Sequence, residues 1–137
     1  MITDTCPFVG VVAVLDDPTP DGRLLSGVGF RNGGFPLPVR SRDTGVVVGH
    51  ISSLTAGGPF LVAVGVATDL DLAAVLRQGG AVTGGVDIRR LREKVRLDGL
   101  LEFTSWSVAA FTVHDSPTWS QVHLHRAPWF ASDGGRS

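Results

Sequence analysis

A β-rich α+β fold is what this sequence predicts, as a β-barrel or folded sheet with one main helix against it. Three observations carry that expectation. Short valine-rich runs recur between turn signals, at residues 8–15, 46–54, 59–67 and 81–88. A single segment, residues 68–80, changes to helical spacing. The chain has 137 residues, 43% hydrophobic and 18% charged, which suits one packed core and argues against general disorder. Residues 1–126 are read as one domain and 127–137 as a C-terminal tail able to dock.

The elements follow in order. "FVGVVAVL" (Phe8 to Leu15) reads as a buried strand, and "DDPTPDGR" (Asp16 to Arg23) ends it in a proline- and glycine-driven turn. "GGFPLPVRSRDTG" (Gly33 to Gly45) holds Pro36 and Pro38, which donate no amide, so it reads as a loop or edge segment. "VVVGHISSL" (Val46 to Leu54) and "PFLVAVGVA" (Pro59 to Ala67) flank the turn "AGG" as hairpin partners. In "TDLDLAAVLRQGG" (Thr68 to Gly80), Thr68 or Asp69 caps a helix with Leu72, Val75 and Leu76 on one face, and Gly79-Gly80 ends it. "AVTGGVDI" (Ala81 to Ile88) is a strand, and the charged "RRLREKVRLDG" (Arg89 to Gly99) a connector or protruding hairpin. "LLEFTSWSVAAFTV" (Leu100 to Val113) is one bent strand or two, and "WSQVHLH" (Trp119 to His125) alternates as a final strand.

Composition narrows the function. The net charge of −1 provides no basic surplus for a phosphate backbone, so no nucleic-acid partner is expected, although Arg89, Arg90, Arg92, Lys94 and Arg96 cluster locally. Cys6 is the sole cysteine, which excludes an internal disulfide, a CxxC pair and a cysteine-rich zinc site. The N-terminus lacks the basic start and apolar run of a signal peptide, and no apolar stretch reaches the roughly 18 residues of a membrane span. A soluble protein made in a cytoplasm, without a membrane partner, is the expectation.

Candidate chemistry is sparse. His123 and His125, two apart in a strand, share a face as a metal pair requires, with His114 or Asp115 as a distant third ligand. The plainer reading is an exposed polar strand, and no metal or cofactor is expected. His50 shares a strand face with Ser52, but no turn aims that serine at a substrate. "GVGFRNGG" (Gly27 to Gly34) lacks the Gly-Lys-Ser/Thr end of a phosphate loop. Trp106, Trp119 and Trp129 read as core or interface anchors, and Trp129-Phe130 near the end suggests docking onto this domain or another subunit.

Several stretches, in order, resemble the prohead (capsid maturation) protease family of tailed bacteriophages, in the form seen in phages of actinobacteria. "PTPDGRLL" (Pro18 to Leu25) resembles that family's early Pro-Thr-Gly-Asp-Gly-Arg turn, and "FPLPV" (Phe35 to Val39) its Leu-Pro-Leu-Pro-Leu segment. "RDTGVVVGHI" (Arg42 to Ile51) resembles the His-Asp-Gly-Ala-Val-Val-Val-Gly-Arg-Ile strand. "LAAVLRQGGAVTGGVDI" (Leu72 to Ile88) resembles the helix followed by Gly-Val-Ser-Val-Asp, and "FTSWSVAAFTVHDSPTW" (Phe103 to Trp119) the closing strand and Pro-Ala-Phe loop. The resemblance spans about residues 9–125 and lies in order and spacing more than in any one motif.

It implies a herpesvirus-protease-like β-barrel. Active members are serine peptidases, with a serine in the Gly-Val-Ser-Val-Asp strand and a histidine opening the Val-Val-Val-Gly strand. Those positions fall on Gly85 and Arg42, and a third, acidic position of some members falls near Ser105. Glycine brings no nucleophile, and an arginine does not deprotonate near neutrality. The resemblance therefore implies a degenerate member without the catalytic serine and histidine. Thr83 and His50 are the fallback pair for a relocated peptidase site. The expectation is a non-enzymatic decoration or minor capsid protein in the virion of a phage, made in the bacterial host's cytoplasm. It would bind the major capsid protein through Phe8, Trp119, Trp129 and Phe130, with self-association or capsid-templated oligomers. An active maturation peptidase and a transient assembly or scaffold factor are the alternatives.

Overall fold

The β-branched runs pair as their alternation requires. In the computed structural model, residues 5–117 and 119–129 are described. The elements are β1 (Cys6–Val14), β2 (Arg23–Leu25), a 3-10 turn (Gly27–Gly29), β3 (Leu37–Ser41), β4 (Val47–Gly57), β5 (Phe60–Ala67), α1 (Leu70–Arg77), β6 (Gly84–Val95), β7 (Leu101–Val113) and β8 (His123–Arg126). β4 and β5 form the expected hairpin, with Gly58 supplying a left-handed turn at φ 59°. β1 lies between β5 and β8, antiparallel to both. β4 pairs on its other side with β3. β3 then runs parallel to the end of β7, through Val39–Phe111 to Ser41–Val113.

β7 organises the rest. β6 pairs along one flank of it, from Gly84–Val113 to Val95–Leu101. The opposite flank takes β2 at Leu101–Phe103, Phe30 at Trp106 and β3 at Phe111–Val113. "LLEFTSWSVAAFTV" is thus a single strand, and three register shifts in the β6 pairing bend it. Trp106 is fully buried at its centre, where the indole N–H donates to the Ser26 carbonyl at 2.8 Å. Its ring lies 5.1 Å from that of Phe30. The core joins Phe8, Val12, Ile51, Leu61, Leu76, Phe111 and Leu124 around it.

Asp69 is the helix cap: its carboxylate accepts from the amides of Asp71 and Leu72. The helix buries Leu72, Ala73 and Leu76, whereas Val75, expected on that face, is 43% exposed. At the other end Gly79 turns the chain at φ 86°, and Arg126 of β8 donates to the Arg77 carbonyl at 3.0 Å. No helix among the described residues is long and apolar enough to cross a membrane.

Four expectations need correction. The barrel is not closed by strands. At the seam Val82 and Leu124 exchange two main-chain hydrogen bonds, 2.9 and 2.7 Å long, as an isolated bridge. One residue later the chain has turned to β7, because the Thr83 carbonyl accepts from the amide of His114. "GGFPLPVRSRDTG" is loop at 33–36 and 42–45, but Leu37–Ser41 form interior strand β3, since the ladder to β7 begins one residue beyond Pro38. Trp119 to Gln121 form a turn, and only His123–Arg126 continue as strand. Phe8 and Trp119 are no surface anchors. Phe8 is fully buried, and Trp119 is 7% exposed with its indole N–H donating to the Asp17 carbonyl. Burying such large rings in the chain's own core outweighs displaying them.

Candidate functional site

The start of β6 runs against the end of β7, and the turn between β3 and β4 is hydrogen-bonded to that end of β7. There a cleft of about 660 Å³ opens, lined by Arg42, Gly85, Asp87, Thr112 and His114, with Arg23, Arg90, Leu101 and Phe103 extending it. Gly85 stands opposite Thr112 in the β6–β7 ladder. Arg42 is tied to the same end of β7 by its amide, which donates to the Val113 carbonyl at 3.1 Å. A second cleft of about 430 Å³ shares Arg42 and His114 and adds Asp43, Thr83 and Asp115.

The two adjacent glycines of "TGGV" differ. A Cβ on Gly84 would run into the Thr112 carbonyl oxygen and lie 2.9 Å from the Phe111 ring, so close packing dictates this glycine. Its neighbour Gly85 points the other way along the strand and contributes to the cleft. Asp87, two residues on, returns to the cleft side and accepts from the Thr112 hydroxyl at 2.9 Å.

The two threonine hydroxyls here are already committed. Thr83 donates to the His114 carbonyl at 2.7 Å, and Thr112 donates to Asp87. The His114 ring accepts at Nδ1 from the amide of Ser116 at 3.2 Å. With Nδ1 accepting, the neutral ring carries its proton on Nε2. The cleft is cationic. Arg90 lies 5.9 Å from the Phe103 ring centre and 3.4 Å from Glu93. Arg23 pairs with Asp21 at 2.8 Å. The Thr19 hydroxyl and then Arg23 hold the Asp21 carboxyl below its ordinary value by bonding to its charged form. Arg42 has no ion-pair partner among the described residues.

Of the positions singled out from sequence, Arg42 and Gly85 meet in this cleft, and Ser105 does not line it, standing opposite Arg92 on β7. The fallback pair is not assembled. Thr83 lines the second cleft, while His50 lies exposed on β4 between Pro38 and Val66 and lines neither. Ser52 is exposed on the same side as His50, but it sits at a bulge and its hydroxyl donates to the Val64 carbonyl. His123 and His125 stack with ring centres 5.3 Å apart, each Nδ1 against a main-chain carbonyl. Neither His114 nor Asp115 joins them, and no group of three or more metal-ligating side chains occurs among the described residues. Trp129 is 63% exposed, and Phe130 lies outside the described residues.

Sequence reasoning missed Thr112, and it considered His114 only as a metal ligand. The available signal was the two-residue period that puts 112 and 114 on one face of a strand end. Compared with protein-family models and with curated proteins, the chain matches none.

Proposed function

We propose that this chain is a non-enzymatic structural protein of a phage head, a decoration or minor capsid protein on an inactive prohead-protease-like fold. One observation carries the reading. Arg42 and Gly85, the positions that the resemblance aligns with a base and a nucleophile, come from distant parts of the sequence and line one cleft. At those positions stand a permanent cation and a residue with no side chain. What is left is a cationic groove on a rigid sheet, suited to holding a partner rather than cleaving it. The partner proposed is the major capsid protein, with Trp129 as the exposed aromatic anchor.

Quantitative mass spectrometry of purified mature virions tests this. An intact chain at a fixed, high ratio to the major capsid protein is the expected result. Absence from finished particles, or fragments alone, would overturn it in favour of a transient assembly factor or a self-digesting peptidase. Trp129→Ala is expected to weaken binding to assembled shells by about tenfold or more, measured by co-sedimentation.

A further inference from the structure

The β6–β7 hairpin extends beyond the core as an arm. Every residue from Arg89 to Gly99 is exposed. Its tip is tightly built: Arg96 donates to the Leu100 carbonyl, Gly99 donates to that of Arg96, and Gly99 takes φ 87°. Such a preorganised turn has little to gain from bare leucine and valine. Yet Leu97 is fully exposed, Val95 is 74% exposed and Leu91 is 54% exposed. From Arg89 to Gly99 the arm carries five basic residues and two acidic, in a chain of net charge −1, so the rest of the molecule is acidic. Arg89 and Arg92 have no ion-pair partner among the described residues.

A surface of the opposite kind lies beside α1. There a groove of about 460 Å³ is floored by Val46, Val48, Leu72 and Val75 and rimmed by Asp69 and Asp71. Val46 is 57% exposed and Val75 43%. The groove reaches Val113, the far end of β7 from the arm. At about 3.3 Å per residue that strand is up to roughly 40 Å long, and arm and groove lie at its opposite ends, so an arm does not seat in its own groove.

We propose that copies of this chain associate head to tail, the basic apolar-tipped arm of one seating in the acid-rimmed apolar groove beside α1 of the next. Charge selects the groove, with its two aspartates, over the cleft described above, where Arg42 stands without an ion-pair partner among the described residues. The apolar tip also suits a protein groove better than a phosphate backbone. Because the two surfaces differ, the contact is heterologous and leads to rings or open chains. The proposal stands independently of the capsid reading.

Analytical ultracentrifugation of the full chain at low salt, from micromolar to millimolar, tests it. The unmodified chain is expected to assemble with concentration. Leu97→Asp on the arm, and either Val46→Asp or Asp71→Arg at the groove, should each weaken association at least about tenfold. All three sites are on the surface, and circular dichroism verifies folding. The deciding mixture combines an arm variant with a groove variant. One intact arm and one intact groove remain between them, so a 1:1 complex that grows no further is expected. A chain monomeric throughout, assembly indifferent to either set of substitutions, or no complex in the mixture would each overturn the proposal.

Discussion

Gly84 and Gly85 are adjacent in β6, yet different forces act on them. A methyl group at 84 meets a main-chain carbonyl and the Phe111 ring, neither of which can move without disturbing the β6–β7 ladder. Gly84→Ala is expected to cost roughly 1–3 kcal/mol, read as a lowered urea midpoint. Cys6 makes a second residue-scale prediction. Burial pushes its thiol up, against the opposing pull of Arg77 and Arg126. A raised value means that the folded state holds the proton more tightly. The associated stability is complete below about pH 8.5, the ordinary thiol value, and is lost as pH rises through the folded value. The chain has no tyrosine and one lysine, so few other side chains titrate there. Stability should fall from pH 8 to 10 in the unmodified chain and less steeply in Cys6→Ala, measured by denaturant melts. At this scale the sequence made Arg42 and Gly85 legible only through a resemblance. Thr112 and His114 stayed hidden because their meaning depends on which strand end faces β6. Phe8 and Trp119 could not be told from surface anchors, because hydrophobicity alone does not say whether a ring packs inward.

Elements were legible where local chemistry and tertiary pairing agree. The β4–β5 hairpin and the helix carry their own turn and cap residues, and both appear where expected. β3 was misread because two prolines signal a broken ladder, whereas here the β7 pairing starts just beyond Pro38. "WSQVHLH" alternates, but its first half is drawn into a turn that buries Trp119 against Asp17. The helix illustrates how elements are fastened to each other. Arg126 reaches from β8 to the carbonyl of Arg77, whose own guanidinium donates to Thr5 at 2.6 Å. Arg126→Ala is expected to destabilise the fold by about 1 kcal/mol through loss of this charged bond at the helix end. Thermal melting of the variant beside Asp69→Ala, which removes the N-cap at a similar cost of about 1 kcal/mol, measures both ends of one element.

At the scale of the molecule, a β-rich fold with one helix was readable from composition and period, but the closure of the sheet was not. Closure depends on whether the last short strand finds a ladder across the molecule, and no local signal encodes that. β8 finds a single bridge at Val82 instead. This seam has a kinetic consequence. Its two amides, Val82 and Leu124, can trade their hydrogens for deuterium when the sheet parts at that line, without the rest of the chain unfolding. They should therefore exchange in step with each other and faster than the amides of β5, which are hemmed in by β1 and β4. One pair of protons would then act as a stopwatch for the breathing of the whole sheet, ticking at a rate that global stability does not set.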